Sequence, residues 1–289
     1  MKHNIFWCGG FDSTYLVCKR LIIEKSPIET YYLNFPCDGY DTGEYGNVPE
    51  YSDPTTRLSN LDIENENIVE VDGYGRKSYG RLSRNVEIKV MYRLREMIIE
   101  QFPFTEQLFP LPILIDNVEI ESDFLDDMLY LQKEYKLRDM RAEQCLYMVQ
   151  YSLKENKVFE LGYEGDDNSH GETVIDKNYS TYSRSTRLLR KYLTDEFRIS
   201  SDVIPKLELY KNISLPMSKI LKKDMIKESK KYNFTNILEN TWSCRFPKSN
   251  GDICNGVWEI NKNIHCLHHH VSYKDLNRKT NYNDILNAS

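Results

Sequence analysis

The sequence contains no run of about 18 apolar residues, so no membrane span is expected. No long apolar segment follows its first residues either. Met1-Lys2-His3-Asn4 leads directly into a short strand-like stretch, unlike a signal peptide, and the expected location is cytoplasmic. In that compartment the seven cysteines stay reduced, which favours metal binding or chemistry over disulfides. Positive charge is not in excess: 38 Lys and Arg against 44 Asp and Glu leave a net charge of −6. That balance argues against a protein held on nucleic acid mainly by phosphate contacts. Lys222-Lys223 and Lys230-Lys231 form a local basic candidate, or the solvated face of a helix. Internal repeats and low-complexity linkers are also lacking. The 289 residues, 40% apolar and with 21 Tyr and 11 Phe, are enough to bury a sizeable core.

The chain begins with a strand, a glycine turn and a helix. Ile5-Phe6-Trp7 is the apolar run, Cys8-Gly9-Gly10 the turn, and Tyr15, Leu16, Val17 and Leu21-Ile22-Ile23 suggest a helix from Ser13. Glu29 to Phe35 reads as a second strand, rich in aromatic and β-branched residues. Two strands joined by a helix predict a βαβ unit and an α/β fold, a parallel sheet flanked by helices. Pro36 to Pro54 reads as a loop over the C-terminal edge of that sheet. Helices are expected near 85–101, 122–136 and 138–155, and Val158 to Gly162 reads as a later strand leading to Asp166-Asp167. A further helix is expected over 218–232, capped by Ser218. These assignments divide the chain into an α/β domain over 1–240 and a Cys- and His-rich appendage over 241–289.

A Gly-Gly turn between a first strand and a first helix exposes backbone N–H groups to a close ligand. The start of the helix adds partial positive charge, which suits phosphate. Asp12 is then placed to hold Mg²⁺ on the phosphates, and Ser13 and Thr14 to donate hydroxyl hydrogen bonds. No Lys-Ser/Thr pair follows at Walker spacing, so this is not a Walker loop. The other reading of the turn is an ordinary βα connection with Asp12 or Ser13 as helix cap.

The string Phe6-Trp7-Cys8-Gly9-Gly10-Phe11-Asp12-Ser13-Thr14 resembles the Ser-Gly-Gly-x-Asp-Ser loop of the PP-loop ATP pyrophosphatases, with Cys8 where that family has its first Ser. Pro216-Met217-Ser218-Lys219, Asp224-Met225 and Asn240-Thr241-Trp242-Ser243-Cys244 are similar to the second half of 7-cyano-7-deazaguanine synthases and their relatives. The resemblance covers both ends of the chain and leaves its middle uncovered. It implies a PP-loop fold with ATP bound by Cys8, Gly9, Gly10, Phe11, Asp12, Ser13 and Thr14. Asn34 and Gly162 would lie beside the nucleotide, and Lys219 would face its phosphates. Asp166 and Asp167 line the site or form a solvated acidic turn. Asp12, Ser13 and Lys219 are the implied catalytic residues.

In the synthases a Cys-x9-Cys-x2-Cys-x2-Cys run binds zinc. Here Cys244 and Cys254 keep the first spacing, while Val257 and Ile260 stand at the next two positions. Cys266-Leu267-His268-His269 restores a spacing of two, which suggests an insertion from Asn255 to His265. The implied structural zinc ligands are Cys244, Cys254, Cys266 and His269, with His265, His268 or His270 as substitutes. Decay of the site to free thiols is the alternative. Cys18 and Cys145 read as small core residues, and Cys37 as a loop cysteine or a sulfur carrier or nucleophile near the ATP.

The implied activity is that of an ATP-dependent ligase. A carboxylate, 7-carboxy-7-deazaguanine or an analogue, is activated as an adenylate with loss of pyrophosphate, and ammonia then displaces AMP. The implied cofactors are ATP, Mg²⁺ and Zn²⁺, and a homodimer is compatible with the family. The alternatives are a divergent relative acting on another carboxylate or on tRNA, and a nucleotide-binding module without turnover. The segments Asn34 to Tyr40 and Gly162 to Asp167 differ from the synthases at substrate-facing places, so an altered acceptor is the main departure expected.

Overall fold

His3-Asn4-Ile5-Phe6 and the stretch Ile28–Leu33 pair as parallel strands β1 (His3–Phe6) and β2 (Ile28–Leu33), with His3 opposite Ile28 and Phe6 opposite Tyr31. The computed structural model describes residues 2–34, 37–38, 68–71, 76–79, 84–116, 118, 120–135, 143–163, 192–242, 259–260 and 263–264. Between β1 and β2 runs α1 (Phe11–Cys18), which continues as a π-helical turn over Lys19–Ile23. The helix therefore starts two residues before the expected Ser13. Next come β3 (Cys37–Asp38), β4 (Ile68–Val71), β5 (Arg76–Tyr79), α2 (Arg84–Gln101) and β6 (Ile113–Ile115). They are followed by α3 (Ser122–Tyr135), α4 (Glu143–Glu155), β7 (Phe159–Glu160), β8 (Ile213–Ser214), α5 (Lys222–Lys231) and α6 (Thr235–Glu239).

Five strands form one parallel sheet in the order β6-β2-β1-β7-β8. The α/β architecture, a parallel sheet flanked by helices, is thus as expected from the sequence. β2 and then β6 build outward on one side of β1, and β7 and then β8 on the other. The direction of winding reverses between β1 and β7, and open sheets of this kind bind ligands at that point, beyond the strand C-termini.

The pleat sends alternate residues of each strand to opposite faces, and each face has its own core. Ile5 and Tyr32 pack with Leu16, Met91, Leu94, Met225, Phe234 and Trp242 on the face of α1, α2, α5 and α6. Phe6, Tyr31 and Leu33 pack with Phe124, Met128, Val149 and Phe159 on the face of α3 and α4. Burial on both faces explains why Tyr31, Tyr32 and Leu33 follow one another in β2 without alternating polar residues.

Three details differ from the sequence reading. The helix expected over 218–232 begins only at Lys222. Ser218 does not cap it; Leu221, extended at φ −86° and ψ 154°, holds that place. Two tight turns precede it, Ser218 N–H to Leu215 O and Ile220 N–H to Met217 O, and they bury Met217 in the first core. Cys37, read as a loop residue, lies in β3, which pairs with β5 in a three-stranded antiparallel sheet, β3-β5-β4. Thr241 and Trp242, expected to open the appendage, are buried, and Trp242 belongs to the first core. A short antiparallel pair, β9 (Glu259–Ile260) with β10 (Asn263–Ile264), is the described part of the C-terminal region. Among the described residues no helix is long and apolar enough to cross a membrane.

Candidate functional site

The chain leaves β1 through Trp7 and Cys8 and reverses at two glycines. Gly9 takes φ +71°, a left-handed conformation that costs other residues about 1 kcal/mol or more. Val90 and Met91 of α2 stand 3.3 Å from where a Gly9 Cβ would lie. Gly10 is the N-cap of α1; its carbonyl accepts from Thr14 N–H at 2.9 Å, and no side chain caps the helix. The end of α1 is thus available to an anion as its amides and dipole require.

Gly162, just beyond β7, packs against this helix start. A Cβ on it would lie 2.7 Å from both Cα and N of Ser13 and 3.0 Å from the carbonyl carbon of Asp12. Only glycine lets β7 end against the backbone of α1 here. The sequence expectation for Gly162 was a place beside the nucleotide. The structure puts it at the reversal point of the sheet, in contact with the turn.

The remaining turn residues divide into buried supports and half-exposed groups. Thr14 is fully buried and its Oγ1 accepts the Trp7 indole N–H at 2.9 Å, so it braces the turn rather than facing a ligand. Phe11 is buried in the first core. Ser13 Oγ donates to Gly10 O at 3.3 Å and lies 3.9 Å from Cys8 Sγ. Asp12 keeps one carboxylate oxygen, Oδ1, buried without a hydrogen bond among the described residues. Lys222 Nζ stands 3.5 Å from that oxygen, near enough for charge attraction but outside hydrogen-bond geometry.

Lys222 is the residue the sequence reading missed. It was taken as part of a basic helix face, whereas it opens α5 beside Asp12, with its ammonium 5.7 Å from the centre of the Phe11 ring. Lys219, expected to face the phosphates, is exposed, and its ammonium lies 5.5 Å from the centre of the Phe197 ring. The 3.6-residue period of the helix after Leu221 decides which lysine meets Asp12, and the sequence reading had started that helix too early.

The other end of the chain also reaches the turn. Trp242 N–H donates to Gly9 O at 2.8 Å. Tyr15 OH donates to Glu228 of α5, and Lys19 Nζ lies 3.4 Å from the same carboxylate. Burial, with the Glu228 charge beside it, pushes the Tyr15 hydroxyl far above its ordinary pKa, so it stays a donor. Arg20 grips Glu160 of β7 by two hydrogen bonds of 2.8 and 2.9 Å, and His3 Nδ1 lies 2.8 Å from Glu160. These links tie α1 to the two elements that supply Lys222 and Gly162. Asn34, at the end of β2, donates its side-chain N–H to Asp116 Oδ1 at 3.0 Å and its backbone N–H to Ile115 O at 2.8 Å. Glu87 of α2 is a buried carboxylate behind the turn that accepts from Tyr32 OH at 2.9 Å. Nothing in the sequence pattern singled it out.

Cys244, Cys254, Cys266 and His269 lie outside the described residues, as do Ser243, Asp166 and Asp167. Among the described residues no group of three or more His, Cys, Asp or Glu is arranged to hold a metal ion. Comparison with protein-family models, with curated proteins and with solved structures gave no match in any of the three.

Proposed function

We propose that this chain binds ATP over its glycine turn and activates a carboxylate as an acyl adenylate, as the PP-loop enzymes it resembles do. One observation carries the reading. Two segments of the resemblance, far apart in sequence, meet at one point, where Trp242 N–H donates to Gly9 O at 2.8 Å, and Lys222, which lies between two further strings of it, stands 3.5 Å from Asp12 there. They meet where the sheet reverses its winding, against Gly162. A structural βα turn has no need of an uncapped helix, an adjoining ammonium and an unbonded carboxylate oxygen together.

In this reading the amides after Gly10 and the Lys222 ammonium hold the phosphates, and Ser13 Oγ turns from Gly10 O to donate to them. The buried Asp12 oxygen lacks a hydrogen bond and fits a divalent cation. Asp12 would hold Mg²⁺, which supplies charge neutralisation on the phosphates. The acceptor carboxylate oxygen attacks the α-phosphorus, the bond to the bridging oxygen breaks, and pyrophosphate leaves with that electron pair. Ammonia then attacks the acyl carbon, AMP departs, and one proton is lost to give the amide. Positioning and electrostatic stabilisation supply most of the acceleration, because the groups around the turn are held by packing before substrate arrives. Lys219 is assigned a phosphate role by the resemblance, and the placement of Lys222 favours Lys222 for it. Zinc binding by Cys244, Cys254, Cys266 and His269 rests on the spacing and the resemblance.

The test is release of AMP and pyrophosphate from ATP with 7-carboxy-7-deazaguanine and ammonium. Acceptor-dependent AMP that Asp12→Ala abolishes establishes adenylation and this acceptor together. ATP binding without AMP release, across a panel of carboxylates, identifies a binding module and refutes the ligase reading.

A further inference from the structure

The end of β8 carries a second group of cations that the nucleotide site does not use. After β8 the chain runs from Leu215 through Lys219 to Lys222 at Asp12. A corner at Phe197 and Arg198 packs on the start of that run. Leu215 N–H donates to Phe197 O at 2.9 Å, and Arg198 bridges to Ser214 in antiparallel fashion. Phe197 has φ +59°, a conformation that a bulky side chain adopts only when its surroundings impose it. The corner is held by Phe197 N–H to Thr194 O at 3.0 Å, by Thr194 N–H to Arg198 O at 2.7 Å and by Arg198 N–H to Thr194 Oγ1 at 3.2 Å.

This strained corner sets two cations that form no salt bridge among the described residues, although the charge of Glu196 lies near Arg198. The Nε–H of Arg198 is buried and has no acceptor among the described residues. Lys219 rests over the Phe197 ring and pairs with no carboxylate among the described residues. A buried guanidinium N–H without an acceptor is costly to keep, because Arg stays charged and its donors need partners. The side of the sheet matters too. Asn34 and the glycine turn occupy the ends of β2 and β1, so a nucleotide there leaves the end of β8 to a second substrate.

We propose that Arg198 and Lys219 form the subsite for the acceptor, binding its carboxylate beside the nucleotide; the assignment to an acceptor rests on the adenylation reading. Arg198 contributes a fixed donor and Lys219 a mobile charge, and both bind substrate rather than ATP. The resemblance did not include Arg198, and it had placed Lys219 on the phosphates.

The experiment is calorimetric titration of the full chain with 7-carboxy-7-deazaguanine in the presence of α,β-methylene-ATP. The control is 7-deazaguanine, which lacks the carboxylate. The variants are Arg198→Gln and Lys219→Gln; Lys219 is exposed, so its variant keeps the fold. The expected result is tighter binding of the carboxylate form by wild type, a loss of about 10-fold to 100-fold in each variant, and unchanged affinity for α,β-methylene-ATP. Equal acceptor affinity in wild type and variants overturns the proposal. So does a parallel loss of nucleotide affinity, which would return both cations to the phosphates. Wild type that binds the nucleotide but neither deazaguanine preferentially overturns it as well. Cation-dependent carboxylate binding without nucleotide binding supports the subsite and sinks the adenylation reading instead, so the two fail separately.

Discussion

Replacing Gly162 with Ala adds one methyl group and tests how the site is assembled. Its Cβ would lie 2.7 Å from two backbone atoms of Ser13, about 0.7 Å inside ordinary van der Waals contact. Neither partner is a flexible side-chain tip. Relief requires α1 or the end of β7 to move, and both are anchored: α1 through Arg20 to Glu160, and β7 through its pairing with β1 and β8. Overpacking of this kind costs about 1–3 kcal/mol. At about 2–4 °C per kcal/mol for a domain of this size, the melting temperature falls by about 2–12 °C. Gly10→Ala is the control. A Cβ there meets nothing closer than 3.4 Å, and φ of −74° suits alanine, so the melting temperature should stay within about 1–2 °C. The assay is thermal unfolding by circular dichroism, with ATP titration by calorimetry on both variants. Gly162→Ala should lose ATP affinity along with stability, because the displaced backbone is that of Asp12 and Ser13. A Gly162→Ala protein that melts and binds ATP like wild type would refute both the close contact and the site built on it.

Lys222→Gln should weaken ATP binding by about 10-fold to 100-fold, the usual worth of a hydrogen bond to a charged group; unchanged affinity in calorimetry would remove Lys222 from the phosphate site. Cys8 is half-buried at the turn and should react with iodoacetamide in the folded protein and be protected by ATP, whereas Cys18, fully enclosed, should not react; peptide mass spectrometry reads both. Burial pushes the Cys18 thiol far above its ordinary range, so in alkali only the unfolded chain ionises it. The stability linked to Cys18 is therefore complete below about pH 8.5 and declines above it, by up to about 1.4 kcal/mol per pH unit. Cys18→Val should lessen that slope in urea titrations between pH 8 and 10, and an unchanged slope would contradict the assignment. If the C-terminal cysteines hold zinc, elemental analysis should find about one zinc per chain, lost in Cys244→Ala; metal-free protein from a chelator-free preparation would reject the site.

The amphipathic helices were legible because their apolar period is a local property. The expected 85–101 and 122–136 agree with α2 and α3 within a residue at each end. The glycine turn was legible for the same reason, since two adjacent glycines end an apolar run and permit the left-handed φ that Gly9 adopts. The roles within the turn were not. Ser, Thr, Asp and Phe side chains divide between surface and core according to which direction the α1 backbone points them, and the packing buries Thr14 and Phe11, which the resemblance assigns to a ligand. The lysine beside Asp12 was likewise misassigned, because Leu221 adopts an extended conformation and delays α5 until Lys222.

A sizeable core, the βαβ start, a turn at Gly9-Gly10 and a parallel sheet follow from the sequence. Composition, apolar period and glycine placement carry that much, because each acts over a few neighbouring residues. Tertiary structure alone decided that the winding reverses between β1 and β7 and that Gly162 meets Ser13. It also decided that Lys222 rather than Lys219 stands at Asp12, and that Arg198 is left with a buried, unmatched donor. Those facts depend on the packing of segments up to some 200 residues apart, whose relative positions are set by the burial of both sheet faces and by no local signal.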